Sequence, residues 1–172
     1  MVSASILQSY ASVLSYPAGR GLDSVRTSIE DIVSERPSLG NSLGGLLQFI
    51  EEHPEKDLEE IFTTTFDSNT ERALEVGWHI HGENYARGVF MARMRGLLRE
   101  LGIEESSELP DHISHVLLVL AKAKPELSAA LAGGVVVQAL GKIVEGFPNS
   151  DNPYREVIAG LKAFLEESSS DE

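Results

Sequence analysis

Four of the five histidines fall in two short stretches, His79-Ile80-His81-Gly82-Glu83 and Asp111-His112-Ile113-Ser114-His115, where imidazoles lie beside carboxylates that could hold a metal ion or move a proton. Spacing limits that chemistry. Side chains two apart on a helix point about 200° apart, so His79 and His81 chelate one ion only where a helix ends between them. His112 and His115 share a helical face, but one such pair falls short of a closed zinc set. The chain has no cysteine, which removes disulfides, thiolate metal sites and a cysteine nucleophile. It also lacks a Walker-type phosphate loop, a dinucleotide fingerprint following a strand and a nucleophile elbow. A metal-dependent enzyme using His79, His81 and Glu83 with His112 and His115 stands as an alternative reading, and it requires these side chains to converge in one pocket.

The same segments admit a reading without catalysis. Asp111 follows Pro110 where a loop gives way to an apolar periodic run, a position at which a carboxylate caps the free amides of a helix start. Asp67 closes the run Phe62-Thr63-Thr64-Thr65-Phe66 and precedes Ser68-Asn69-Thr70, where it can cap the next helix or hold the turn. Glu83 and Arg87 stand four apart at a helix-to-helix corner. An exposed pair of that kind adds only about 0.5 kcal/mol, so a binding surface competes with stability as its reason.

The elements that must position these residues are helical. Apolar residues recur at three- and four-residue spacing in Ile6, Leu7, Tyr10, Val13 and Leu14, in Val25, Ile29, Ile32 and Val33, and through Leu43 to Ile50, Leu58 to Phe66, Ala73 to Ile80, Tyr85 to Leu101, Ile113 to Ala123, Leu127 to Val144 and Tyr154 to Leu165. Proline, glycine and Asx turns separate them. The pattern predicts an all-α, compact single-domain bundle of about eight or nine helices over residues 1–165, with an acidic, disordered tail over 166–172. The pairs Gly44-Gly45 and Gly133-Gly134 fall inside helical pattern and are expected to serve close helix packing. Leu127 to Val144 is short and interrupted for a bilayer crossing, so a core helix is expected rather than membrane insertion. The opening residues lack the features of a secretory signal. A net charge of −13 argues against nucleic acid and favours basic partners.

Taken in order, Phe62-x-x-x-Phe66-Asp67, His79-x-His81-Gly82-Glu83-x-x-x-Arg87-Gly88 and Glu108-Leu109-Pro110-Asp111-His112 resemble the nitrate reductase delta-subunit family of respiratory molybdoenzyme assembly chaperones, related to other redox-enzyme maturation proteins. Leu14-Ser15-Tyr16-Pro17 is similar to that family's first helix end, so the resemblance runs from Leu14 to Ala123. It implies a cytoplasmic helical protein, monomer or dimer, that is not an enzyme and carries no cofactor or metal of its own. Such a protein binds the apo catalytic subunit of a molybdoenzyme, at its N-terminal peptide or twin-arginine-type leader, holds it until the molybdenum cofactor is inserted, and is absent from the final enzyme. A permanent scaffold subunit is the other alternative. Carried over by motif, the client-binding residues are Asp67, Trp78, His79, His81, Glu83, Tyr85, Arg87, Asp111 and His112. Glu83 and Asp111 are expected to meet basic peptide groups, and Trp78 and Tyr85 apolar ones.

Overall fold

A computed structural model describes residues 2–148 and 151–170. Among these residues the chain forms nine helices and no strand. They are α1 (Ala4–Val13), α2 (Gly21–Glu35), α3 (Gly40–Glu52), α4 (Glu55–Phe62, continued by a π-helical turn at Thr63–Asp67), α5 (Val76–His81), α6 (Tyr85–Glu100), α7 (Ile113–Lys122), α8 (Pro125–Glu145, with a π-helical turn at Ala132–Val136) and α9 (Pro153–Ser170). The all-α bundle is therefore as the apolar spacing predicts. Glu166 through Ser170 continue α9, where the sequence suggested a disordered tail, because Phe164 and Leu165 are buried and the serines that follow return hydroxyl bonds to carbonyls four residues back. Residues 171–172 of that tail lie outside the described residues.

The apolar stripes close on one core. α1 lies between α2 and α7, and α9 lies between α3 and the second half of α8. α7 is the central strut: Ile113, Val116, Leu117, Val119 and Leu120 are all buried. Phe62 and Phe66 also belong to the core, each edge-on to Tyr154, at 5.7 and 5.0 Å between ring centroids. Burial at this scale, at about 25 cal/mol per Å² of apolar surface removed from water, is the main force holding short helices that would not persist alone.

α8 is long and apolar enough to cross a membrane by length and composition, which the shorter sequence estimate did not anticipate. Here its inner residues Ala132, Val136, Ala139, Leu140 and Ile143 face the core. The glycine pairs do not mark close packing: a methyl group on Gly44, Gly133 or Gly134 would meet nothing within 4 Å, and one on Gly45 would make only an ordinary contact with Pro153 at 3.9 Å. The tight approach lies elsewhere, at Gly77 against Asp111 and at Gly160 against Ser42.

Candidate functional site

The motif residues gather where α4, α5, α6 and the loop before α7 meet. α5 is short and ends at Gly82, whose φ of +67° turns the chain sharply into α6 at little steric cost. Asn84 starts α6, its side-chain oxygen accepting from the Ala86 and Arg87 amides at 2.9 and 3.4 Å. That corner aims Arg87 inward. Its Nε donates to Asp111 Oδ2 at 3.0 Å and its Nη2 to Oδ1 at 3.4 Å. Arg87 thus turns to Asp111 rather than to Glu83.

Asp111 is 0% exposed, so it cannot meet a basic peptide group from outside as the sequence suggested. Nor does it cap α7. The cap is His112, whose Nδ1 accepts from the Ser114 amide at 3.1 Å. Residues 74–76 and 111–113 are tied by an isolated antiparallel bridge, with the Val76 amide donating to Asp111 O and the Ile113 amide to Leu74 O, both at 2.8 Å. Gly77 is required here: a Cβ on it would stand 2.6 Å from Asp111 Oδ2 and 2.8 Å from a Phe90 ring carbon. The buried pair, the glycine and the bridge form a rigid joint between α5, α6 and α7.

The histidines take structural posts. His112 is buried, and burial, followed by the nearby His115, pushes its pKa down to about 4, which keeps it neutral and able to accept at Nδ1. His115 uses both ring nitrogens: Nδ1 donates to Leu109 O at 2.8 Å, and Nε2 accepts from the Ser106 amide at 3.0 Å. His79 Nε2 donates to Ala73 O at 2.6 Å, and burial lowers its pKa. His81 lies instead against Phe90, 5.8 Å between ring centroids. Among the described residues, no three His, Asp or Glu side chains converge on a common metal position. Of the histidines in the enzyme alternative, only His112 and His115 lie together, 6.5 Å between ring centroids, and His79 and His81 do not join them in a metal set among the described residues.

What does face outward is a cleft of about 410 Å³ beside this joint. Phe66 lies at its floor, with Trp78 and Leu109 as apolar walls and Asp67, Glu75 and Glu83 as carboxylates. Trp78 is fixed in the wall, its Nε1 donating to Thr70 O at 3.0 Å and its ring lying 6.0 Å from the Arg87 guanidinium. Leu109 is 46% exposed although it is a large apolar residue. A second hollow of about 630 Å³, lined by Tyr16, Arg20, Thr63, Asp67 and Glu108, adjoins the first at Asp67. Asp67 reaches this shared edge through the π-helical turn, which the Ser68 amide closes on Thr63 O at 3.0 Å and which Arg72 secures by donating to Thr65 O at 2.9 Å. Asp67 caps nothing; Asn69 holds the next turn instead.

These carboxylates share an electrostatic signature. Burial raises the pKa of Asp67, of Glu75 (helped by Asp111 and Glu108) and of Glu108 (helped by Asp67). The cleft's one cation, Arg87, is already committed to Asp111. A surface that holds partly desolvated carboxylates beside exposed apolar side chains suits a segment carrying both a basic and an apolar side chain. Of the residues named from sequence, the cleft brings together Asp67, Trp78, Glu83 and Arg87; Asp111 and His112 are buried behind it, His79 is turned to Ala73 and His81 lies beside Phe90. Tyr85 stands apart on α6, 88% exposed. Sequence reasoning missed Glu75, Glu108 and Leu109 as wall residues. Glu108 and Leu109 stand in the third motif itself, just ahead of the proline that ends their loop, and that loop position was the available signal.

A family profile described as nitrate reductase delta subunit matches residues 34–171. The match starts beyond Leu14-Ser15-Tyr16-Pro17 and continues through α8 and α9, so it reaches past the motifs that carried the resemblance. Among curated proteins the sequence has no significant match.

Proposed function

We propose that this chain, which belongs to the nitrate reductase delta-subunit family, is a system-specific assembly chaperone for the catalytic subunit of a molybdoenzyme such as a nitrate reductase. The family is one of molybdoenzyme assembly chaperones, which points away from catalysis by the chain itself. In this reading it binds the cofactor-free catalytic subunit in the cytoplasm, holds it for insertion of the molybdenum cofactor, and is not part of the finished enzyme. The cofactor belongs to the client, and no residue here is assigned to it.

One observation supports the finer reading: Asp67, Glu75, Glu83 and Glu108 line adjoining clefts whose apolar walls are Trp78, Leu109 and Tyr16, four carboxylates against Arg87, which is committed to Asp111, and Arg20, which is turned to Ser12. A leader peptide with a basic side chain next to an apolar stretch, twin-arginine type included, supplies what both halves lack. The cation relieves partly desolvated carboxylates, and the apolar residues cover Trp78 and Leu109. The overall charge of −13 draws such a segment in from solution.

The test is affinity capture of the tagged protein from its native host, grown under respiratory conditions with and without molybdenum. A cofactor-free catalytic subunit is expected with wild type when molybdenum is withheld, and at least tenfold less of it with the variant carrying Asp67→Lys and Glu83→Lys. Equal capture by that variant sinks the cleft assignment. A stoichiometric complex that persists with the molybdenum-loaded enzyme makes the chain a permanent scaffold subunit instead.

A further inference from the structure

α6 is the least buried long helix of the bundle. Only Met94 and Leu98 of Tyr85–Glu100 are buried, and the helix packs on α5 and α7 from one side alone. Its outer face is not charged throughout. Tyr85, Val89, Ala92, Gly96 and Arg99 follow one another at alternating four- and three-residue spacing, so these exposed residues form one continuous face, a seam along the helix. Tyr85 and Val89 are 88% and 51% exposed, two of the four large apolar residues left in solvent. A methyl group on Gly88 or Gly96 would meet nothing within 4 Å, so the ridge is open to close approach by a second backbone.

The flanks identify the occupant. In a chain with a net charge of −13, α6 carries Arg93, Arg95 and Arg99 against the single acid Glu100. Arg95 is held by Glu105 at 2.9 Å, whereas Arg93 and Arg99 make no ion pair or hydrogen bond among the described residues. A second copy of α6 is a poor occupant, because parallel pairing would set Arg99 against Arg99 and antiparallel pairing about Ala92 would bring the two Arg93 side chains together, with no acid on either seam to answer them. A lipid surface is also poor, since the face lacks the bulky Leu, Phe or Trp wedge that an interfacial helix buries, and its small residues offer little to acyl chains. We propose that the outer face of α6 is a second docking surface, separate from the acidic cleft, for an acidic amphipathic helix of another protein, with small or apolar residues along its seam and Glu or Asp on its flanks.

The probe is a pair of stapled helical peptides with an Ala/Leu seam, one flanked by Glu and one by Lys, measured by fluorescence anisotropy at physiological salt. The Glu-flanked helix is expected to bind wild type and to lose at least tenfold in affinity when Arg93→Glu and Arg99→Glu are combined. The Lys-flanked helix is expected to gain on that same double variant. Val89→Glu should remove binding of the Glu-flanked helix while circular dichroism stays at the wild-type value. No binding of the Glu-flanked helix, or binding that these variants leave unchanged, overturns the proposal. So does a concentration-dependent dimer in sedimentation velocity that Val89→Glu abolishes, which would make a second copy the occupant. Binding to phosphatidylglycerol vesicles that the double variant abolishes would assign the face to lipid. A parallel titration with a basic apolar peptide, read against Asp67→Lys, reports on the cleft separately, so failure of one surface is distinguishable from failure of the other.

Discussion

Asp111 and Glu108 stand three residues apart in one loop, yet they do opposite work. Asp111 is sealed under Gly77 and gripped by Arg87, with its charge answered inside the fold. Asp67 and Glu75 are partly desolvated and face a cleft whose one cation is committed to Asp111, while Glu108 shares the adjoining hollow with Asp67 and with Arg20, which is turned to Ser12. Burial with a partner makes a structural joint; partial burial without one makes a surface that is better satisfied when something basic arrives.

The sharpest way to break that comparison is to remove the buried partner. Asp111→Ala leaves Arg87 without its carboxylate inside the joint, and the expected loss is about 3–5 kcal/mol in urea unfolding, with α6 amides exchanging first. If the loss were below about 1 kcal/mol, the pair would be no more structural than the cleft acids.

A slightly smaller effect lies in the pH dependence. The unfolded chain takes up a proton at His112 near its ordinary value of 6.5, whereas the folded chain resists until about pH 4. Stability from this site is complete above pH 6.5 and falls as pH drops toward 4, by about 3 kcal/mol over the whole window. His112→Asn keeps a capping oxygen and should remove that slope, measured as urea midpoints from pH 7 to 4.5 against wild type. The raised cleft carboxylates act with the opposite sign, since their protonation relieves a cost, so the difference between the two proteins isolates His112.

The smallest effect on stability belongs to the cleft. Glu108→Gln should stay within about 0.5 kcal/mol of wild type in the same urea titration. A loss of several kcal/mol would move Glu108 into the structural class and dissolve the contrast.

The fold was legible in the sequence because apolar spacing is a local property that each helix states for itself, as in Ile113, Val116, Leu117 and Leu120 of α7. The motifs also converge on one corner of the molecule. What spacing does not carry is depth. Asp111 and Glu108 are both acids in one short motif, and only the packing of Gly77 and Phe90 over Asp111 decides which of them is inside. His112, named from the motif as a client-binding residue, is a buried helix cap beside the bridge from residue 75. Glu75 lies outside every motif and comes to the cleft through that same bridge.

The π-helical turn that ends α4 sets a rule for how this chain tolerates changes in length. The turn holds one residue more than α-helical register would need, with the Ser68 amide reaching back to Thr63. Deleting the exposed Thr64 would take out that extra residue and restore α-helical register, so the residues on either side would keep the helix faces they occupy now. Phe66 would then stay with the aromatic cluster and Asp67 at the edge its two hollows share. A single codon lost at this point would thus be absorbed by the turn, whereas the same loss at Glu59, inside regular α4, would rotate Phe62, Phe66 and Asp67 by about 100° relative to the start of that helix.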